Sequence, residues 1–319
     1  MGNAELMNIV VSEFMDERAV ATLAAQHSTF YDRGLVDRPH ELRERLATAD
    51  ALIVRNHSQV SADLLAAAPR LTVIGRLGVG LDNIDVDACR ERGIVVIPAT
   101  GANALAVAEY VIGVAMLLLR GAYGSTTAVA NGEWPRPRLS NGREIAGKTL
   151  GIIGFGGIGR LSGRLARALG MQVVAFDVEI PFSSSIWSEE NVARKSLDAL
   201  LAEADVVTLH VPLIAATRHL IDADRLARMK DGAILINTSR GGVVDEEALA
   251  ATLTSGRLGG AALDVFEHEP LAPRSPLAGC PNLLLTPHIA GVTSESNVRV
   301  SMLVAQRVLA ALRGVRAVA

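Results

Sequence analysis

The feature that most constrains this chain is the run Leu150-Gly-Ile-Ile-Gly154-Phe-Gly156-Gly157-Ile-Gly159. It closes an apolar segment suited to a strand and opens a helical pattern that ends at Gly170. The next strand candidate, 172–176, is followed at once by an acid, Asp177. A strand, a GxGxxG turn, a helix and an acid about twenty residues on make up the dinucleotide-binding βαβ fingerprint. Each glycine has its own reason. Gly154 permits the tight turn, Gly156 lets backbone approach a pyrophosphate, and Gly159 lets helix and strand pack closely. The amides of Gly157 and Ile158 fall at the helix N-terminus, where free N–H groups and the helix dipole favour an anion. Asp177 would accept hydrogen bonds from ribose hydroxyls and repel a 2′-phosphate, which predicts NAD rather than NADP. Leu161, Leu165 and Leu169 fall on one face of that helix.

The rest of the chain keeps the same rhythm. Short apolar runs at 8–12, 51–54, 71–74 and 94–97 read as strands buried on both faces. Helical segments separate them, such as 61–68, where Ser61 can cap and Pro69 helps stop. A long helix is expected over 103–120, followed at 121–148 by a segment rich in Gly, Pro, Asn and Arg that reads as an extended connection. Its Trp134 suits either a surface loop or an arm packed on a second subunit. Further strands are expected at 149–153, 172–176, 206–210, 233–237, 260–265 and 282–285. Asp245-Glu-Glu should open a helix that Gly256 closes. The tail 293–319 reads as a helix with Val298, Met302, Ala305 and Leu309 in one stripe. The fold class is therefore α/β, with doubly wound parallel sheets.

With 319 residues there is room for two domains. A net charge of −3 and 3% aromatic residues argue against a nucleic-acid partner, which calls for a basic face or stacking platforms. The apolar stretch 111–119 is too short to span a bilayer, so no membrane partner is expected. The start of the chain lacks a basic region followed by an apolar core, and the two cysteines, Cys89 and Cys280, form neither a disulfide framework nor a metal-ligand spacing. A reducing cytoplasm and no metal are the expectation.

Three polar islands fall at strand ends, where open α/β sheets place their chemistry. They are Asn237-Thr-Ser-Arg240-Gly-Gly, Asp264-Val-Phe-Glu-His-Glu269-Pro and Thr286-Pro-His288-Ile-Ala-Gly291. Reducing a 2-keto acid needs a proton for the carbonyl oxygen, a cation for the carboxylate and a dry face for hydride transfer. His288 suits the proton. Glu269 would hold its imidazole and favour the protonated form. Arg240 offers a planar fork for carboxylate and carbonyl oxygens. Each has an ordinary alternative: a structural ion pair, a turn carboxylate, a loop histidine.

These islands, with Gly78-Val-Gly-Leu-Asp-Asn-Ile-Asp85, the glycine-rich fingerprint ending at Asp177, Leu209-His-Val-Pro-Leu213 and Pro287-His288, resemble the D-isomer-specific 2-hydroxyacid dehydrogenase family over nearly the whole chain. The resemblance implies a Rossmann-type coenzyme domain, 101–288, inserted into a flavodoxin-like substrate domain, 1–100 and 289–319, with the active site in the cleft between them. It implies a homodimer formed largely through the coenzyme domain, and Arg240, Glu269 and His288 in the roles above. It further implies that His210, Val211 and Pro212 line the adenine side and that Thr238 and Asp264 approach the nicotinamide. Thr217, Ser239 and Ala290 join the expected cofactor contacts. Glu269 separates the chain from the family's formate dehydrogenases, which use a different partner for the histidine.

The amides of Gly75-Arg-Leu-Gly78-Val79-Gly80 suit a nest for the substrate carboxylate or simply a tight turn. Arg55, Asn56 and His57 follow a strand, and a cation there, with His57, suggests a second anion on the substrate. The family's phosphoglycerate dehydrogenases are similar in having an Arg at the matching place, although this chain stops after one dehydrogenase unit. The segments 9–16 and 98–103 resemble the family's sulfolactate dehydrogenases. Stereochemical naming is consistent with that: a CH2SO3− branch outranks the carboxylate, so D-type geometry at C2 is called S in sulfolactate. The best reading is an (S)-3-sulfolactate dehydrogenase, with D-3-phosphoglycerate dehydrogenase or glyoxylate/hydroxypyruvate reductase as alternatives. A non-catalytic NAD-sensing binder, of the kind that serves as a corepressor, is the alternative outside enzymes.

Overall fold

A computed structural model of the chain describes residues 6–316 and divides them into two compact units, residues up to 103 with 292 onward, and 104–291. The first unit holds β1 (Asn8–Val11), β2 (Ser28–Tyr31), β3 (Ala51–Val54), β4 (Val73–Arg76) and β5 (Val95–Pro98) in a parallel sheet ordered β2-β1-β3-β4-β5. This is the flavodoxin-like order. Ile9 and Val11 of β1 face one apolar layer and Val10 the other, so helices cover both faces of the sheet. That is why these strands read as continuous apolar runs rather than alternating ones.

The second unit holds β6 (Thr149–Ile153), β7 (Gln172–Phe176), β8 (Ala193–Arg194), β9 (Val206–Leu209), β10 (Ile234–Asn237), β11 (Gly260–Leu263) and β12 (Leu283–Leu285). Its all-parallel sheet is ordered β12-β11-β10-β9-β6-β7-β8, a Rossmann arrangement with one extra edge strand. The helix Ala104–Arg120 buries Val111, Ala115, Leu118 and Leu119 in this unit's core. Among the described residues no single helix is long and apolar enough to cross a membrane.

Several expectations need correcting. β4 begins two residues later than expected and runs through Gly75, which pairs with Ile53 and Ile97. The glycine is there for packing, not for a turn: a Cβ would lie 2.6 Å from Val304 and 2.9 Å from Val308 of the helix Ser294–Arg316. On that helix the buried stripe is Ser301, Val304, Ala305, Val308, Leu309 and Leu312, with Val298 and Met302 half-buried beside it. Residues 317–319 of the expected helix lie outside the described residues. In the helix Gly157–Ala168 the buried face is Gly159, Ser162, Gly163 and Ala166, while Leu169 stays exposed. Small residues let this helix sit close to the sheet and leave the leucines at its flank. The 121–148 connection is not structureless; it carries short helices at Thr126–Ala130 and Arg136–Leu139, and Trp134 is 75% exposed. The edge strands β2 and β8 were not expected, because neither reads as a buried apolar run.

The order of the second sheet reverses between β6 and β9, and this is where open α/β sheets leave room for a ligand. His210 closes β9 there, its amide donating to the Ile153 carbonyl at 2.8 Å. Burial pushes its imidazole down to about 4. An unfolded histidine titrates near 6.5. Stability from the neutral ring is therefore complete above about pH 6.5 and declines as pH falls toward 4. Unfolding at pH 5 should take up about one proton fewer in His210→Gln than in the parent chain. Denaturant unfolding from pH 7 to 4.5 checks this, and an identical pH slope in both proteins would show that the ring is not held neutral.

Candidate functional site

The three polar islands of the second unit are joined through two buried side chains, Asp264 and Asn237, each 1% exposed. Asn237 ends β10. Its Oδ1 accepts from the Ser239 amide (3.0 Å) and hydroxyl (2.8 Å), and its Nδ2 donates to the Arg240 carbonyl (2.9 Å). The chain is thereby turned so that Arg240 follows the strand end at a fixed place. The Asn237 carbonyl in turn accepts from the Asp264 amide at 3.0 Å.

Asp264 follows β11, and its carboxylate accepts from the Thr286 hydroxyl (2.6 Å) and the Ile289 and Ala290 amides (both 2.8 Å). Tyr110, on the long helix, meets the Thr286 hydroxyl from the other side at 2.6 Å. These bonds fix the segment after β12 that carries His288. The backbone of His288 is left-handed, φ 55°, an uncommon conformation for a residue with a side chain. Bonds on both sides of it hold that conformation: its own amide to the Thr286 carbonyl at 3.0 Å, and the next two amides to Asp264.

Held this way, His288 places Nδ1 2.9 Å from Glu269 Oε2. The other Glu269 oxygen accepts from the Phe266 amide at 3.2 Å, so the carboxylate is itself oriented. With Nδ1 engaged by a carboxylate, Nε2 is the nitrogen left to exchange a proton with a reacting group. The His288 side chain is half exposed, so that nitrogen is reachable. A carboxylate–imidazole pair can store and deliver one proton, and Arg240, with its Nη1 on the Ser239 carbonyl at 2.7 Å, supplies a forked cation in the same unit.

At the switch point between β6 and β9 the glycine-rich turn has the geometry of a cradle. Gly154 has φ 92°, and a Cβ there would lie 2.5 Å from the His210 carbonyl oxygen. At Gly159 a Cβ would lie 2.3 Å from the Gly154 carbonyl oxygen. At Gly156 and Gly157, by contrast, a Cβ would meet nothing within 4 Å. The first two glycines are required by the protein itself; the other two border open space. Gly156 caps the helix without a side-chain bond, which leaves the first-turn amides to an outside acceptor. Thr238 Oγ1 is buried without a hydrogen-bond partner among the described residues. Open space at a helix N-terminus and an orphaned hydroxyl suit a dinucleotide.

The remaining expected cofactor contacts are placed as follows. Asp177 follows β7 and accepts from the amides of Phe155 (2.7 Å), Glu179 (2.8 Å) and Ile180 (3.2 Å), which holds an acid beside the glycine turn. His210 Nε2 lies 3.1 Å from the Thr208 hydroxyl. Val211 and Pro212 open a loop that Thr217 closes, its hydroxyl bonded to the Pro212 carbonyl and the Ile214 amide. Ser239 and Ala290 are buried in the Asn237 and Asp264 networks.

In the first unit, Arg55 follows β3 and its guanidinium Nη2 donates to Asn297 Oδ1 at 2.9 Å. His57 is exposed in the same loop. Gly78 donates its amide to the Arg76 carbonyl at 2.8 Å, so one donor of the expected nest is already engaged; Val79 is 39% exposed and Gly80 half-buried. The 55–58 loop rests on two residues that sequence reading did not single out as functional, Glu13 and Asn83. Tyr110 was missed too, although a lone tyrosine in a mostly apolar helix is a usable signal.

A family model described as "D-isomer specific 2-hydroxyacid dehydrogenase, NAD binding domain" matches residues 112–290. The chain is 54% identical over 312 residues to the (S)-sulfolactate dehydrogenase of Chromohalobacter salexigens, covering 98% of this chain and 100% of that one. It is 39% identical over 313 residues to the D-3-phosphoglycerate dehydrogenase of Methanocaldococcus jannaschii, but spans only 58% of that protein's length. Among solved structures, the TT0316 protein of Thermus thermophilus superposes with a TM-score of 0.87 at 35% identity, over 97% of both chains. The family match spans the glycine turn and Arg240, Glu269 and His288, and the chain belongs to the D-isomer specific 2-hydroxyacid dehydrogenases, nicotinamide-dependent oxidoreductases.

Proposed function

We propose that this chain interconverts (S)-3-sulfolactate and 3-sulfopyruvate with NAD as the cofactor, and that it works as a homodimer in the cytoplasm. The observation that carries the reaction is the oriented His288–Glu269 pair at 2.9 Å. The substrate choice is supported by the 54% identical relative named for sulfolactate and by Arg55, a cation available for a second anion.

Bound in the cradle, the nicotinamide would supply or accept the hydride at C2. Gly156, Gly157 and Ile158 would face the pyrophosphate and Thr238 the nicotinamide side, while Asp177, an acid held by three amides, would take the ribose and oppose a 2′-phosphate. In the reductive direction protonated His288 gives its proton from Nε2 to the carbonyl oxygen as the alcohol forms; in the oxidative direction it takes that proton back. Glu269 holds Nδ1 and keeps the ring in the orientation that presents Nε2 to the reacting oxygen. Arg240 grips the carboxylate and the carbonyl oxygen, which polarises the carbonyl and fixes the face presented.

His288→Asn should lower kcat by about a hundredfold or more while NADH still binds, since general acid–base catalysis is typically worth that much. Stopped-flow turnover and NADH titration check it; loss of NADH binding in a folded variant would move the residue out of the proton-transfer role. A second pair of variants separates cradle from scaffold. Gly156→Ala should melt like the parent chain and bind NADH about tenfold or more weakly, because its methyl enters only open space where the pyrophosphate would sit. Gly159→Ala should lose about 1–3 kcal/mol of stability, because its methyl meets backbone. Unchanged NADH affinity in Gly156→Ala would put the dinucleotide elsewhere.

A further inference from the structure

The residues that hold Arg55 are more elaborate than a surface cation needs. Glu13, just after β1, is 5% exposed, and its carboxylate accepts from four consecutive backbone amides: Arg55 (2.8 Å), Asn56 (3.2 Å), His57 (3.0 Å) and Ser58 (3.0 Å). Burial alone would raise its pKa, but the bonds from Ser58, Arg55 and His57 outweigh burial and hold the carboxyl below its ordinary value. From the other side Asn83 Nδ2 donates to the carbonyls of Arg55 (3.3 Å) and Ser58 (2.7 Å). Ser58 also shares a buried hydroxyl contact with Ser12 at 2.9 Å. A four-residue loop is thus fixed by its amides, its carbonyls and a side chain.

The guanidinium is fixed separately. Asn297, at the start of the helix Ser294–Arg316, accepts from Nη2 at 2.9 Å, and the Phe14 ring lies 5.7 Å below the cation. Burial disfavours the charge on Arg55, and nearby Glu13 partly restores it. A buried carboxylate whose four acceptor sites are spent on amides steers one loop without competing for the guanidinium as a direct ion pair. A free surface arginine would lose rotamer entropy on meeting an anion; one whose loop and side chain are already set loses little of it.

We propose that Glu13 is the positioning residue that sets selectivity for keto acids with a second anionic group, with Asn297 as its counterpart on the Arg55 side chain. The inference rests on the reading of Arg55 as the cation for that group. Glu13 does not touch substrate. It acts by fixing the loop from which Arg55 projects, so its effect falls on the second anion and not on the chemistry at C2.

The test compares kcat/KM for 3-sulfopyruvate and for glyoxylate, which has no second anion, in the parent chain and in Glu13→Gln, Asn297→Ala and Arg55→Ala. Glutamine keeps the size of Glu13 but turns a donor toward two of the four amides. The ratio of the two kcat/KM values should fall about tenfold or more in Glu13→Gln, through KM for sulfopyruvate, as expected when a preset cation becomes loose. Glu13→Asp, which keeps the charge, should recover part of the ratio. Asn297→Ala should shift the ratio the same way and carries the test if Glu13→Gln does not fold. An unchanged ratio in the folded variants, with both substrates losing equally, would overturn the proposal and leave Glu13 a structural residue. Arg55→Ala separates the two levels: if it lowers the ratio while Glu13→Gln and Asn297→Ala do not, only the positioning role fails. If Arg55→Ala also leaves the ratio unchanged, the second-anion reading fails with it.

Discussion

The Asp264 carboxylate, buried after β11, receives the Thr286 hydroxyl and the Ile289 and Ala290 amides, while its own backbone amide reaches across to the Asn237 carbonyl. Those four bonds connect the ends of β10, β11 and β12, the three places that carry Arg240, Glu269 and His288. A carboxylate at 1% exposure is costly unless its lone pairs are taken, and here they are taken by the loop that needs fixing. The left-handed backbone at His288 follows from the same bonds. Without them the ring would lose its approach to Glu269, and the site would keep its residues but not its geometry.

The glycine turn obeys a different constraint, backbone approaching backbone. Gly154 and Gly159 exist because the chain passes within van der Waals distance of itself at the sheet's switch point, whereas Gly156 and Gly157 border open space. The same letter in one motif therefore has two physical meanings, and only the second concerns a ligand. The motif reading draws the same division, and the atoms that a Cβ would meet at each position give its physical basis.

Much of the fold was legible because its signals are local. Ala51–Val54, Thr149–Ile153 and Gln172–Phe176 are short, largely apolar runs between polar or glycine-rich segments, and the caps Ser61 and Asp245 sit where their side chains accept the Leu64 and Ala248 amides. What was not legible depends on partners far away in sequence. Gly75 looks like the start of a loop until the helix Ser294–Arg316 is laid over it. The leucines at 161, 165 and 169 share a face in the sequence, but only the structure shows that the sheet accepts the small residues Gly159, Ser162, Gly163 and Ala166. Among the site residues, Arg240, Glu269 and His288 stood out as polar islands at strand ends. Glu13 did not, because an acid after a strand looks like any other until the amides of residues 55–58, more than forty positions on, converge on it.

The chemistry proposed for this chain is hydride transfer to C2 of a keto acid that carries a second anion. Its most direct test is NADH oxidation by the purified protein with 3-sulfopyruvate, phosphohydroxypyruvate, hydroxypyruvate and glyoxylate in parallel. Turnover is expected with a strong kcat/KM preference for 3-sulfopyruvate. A preference for glyoxylate or hydroxypyruvate would contradict the second-anion reading, and no turnover with any of the four would contradict the reaction itself.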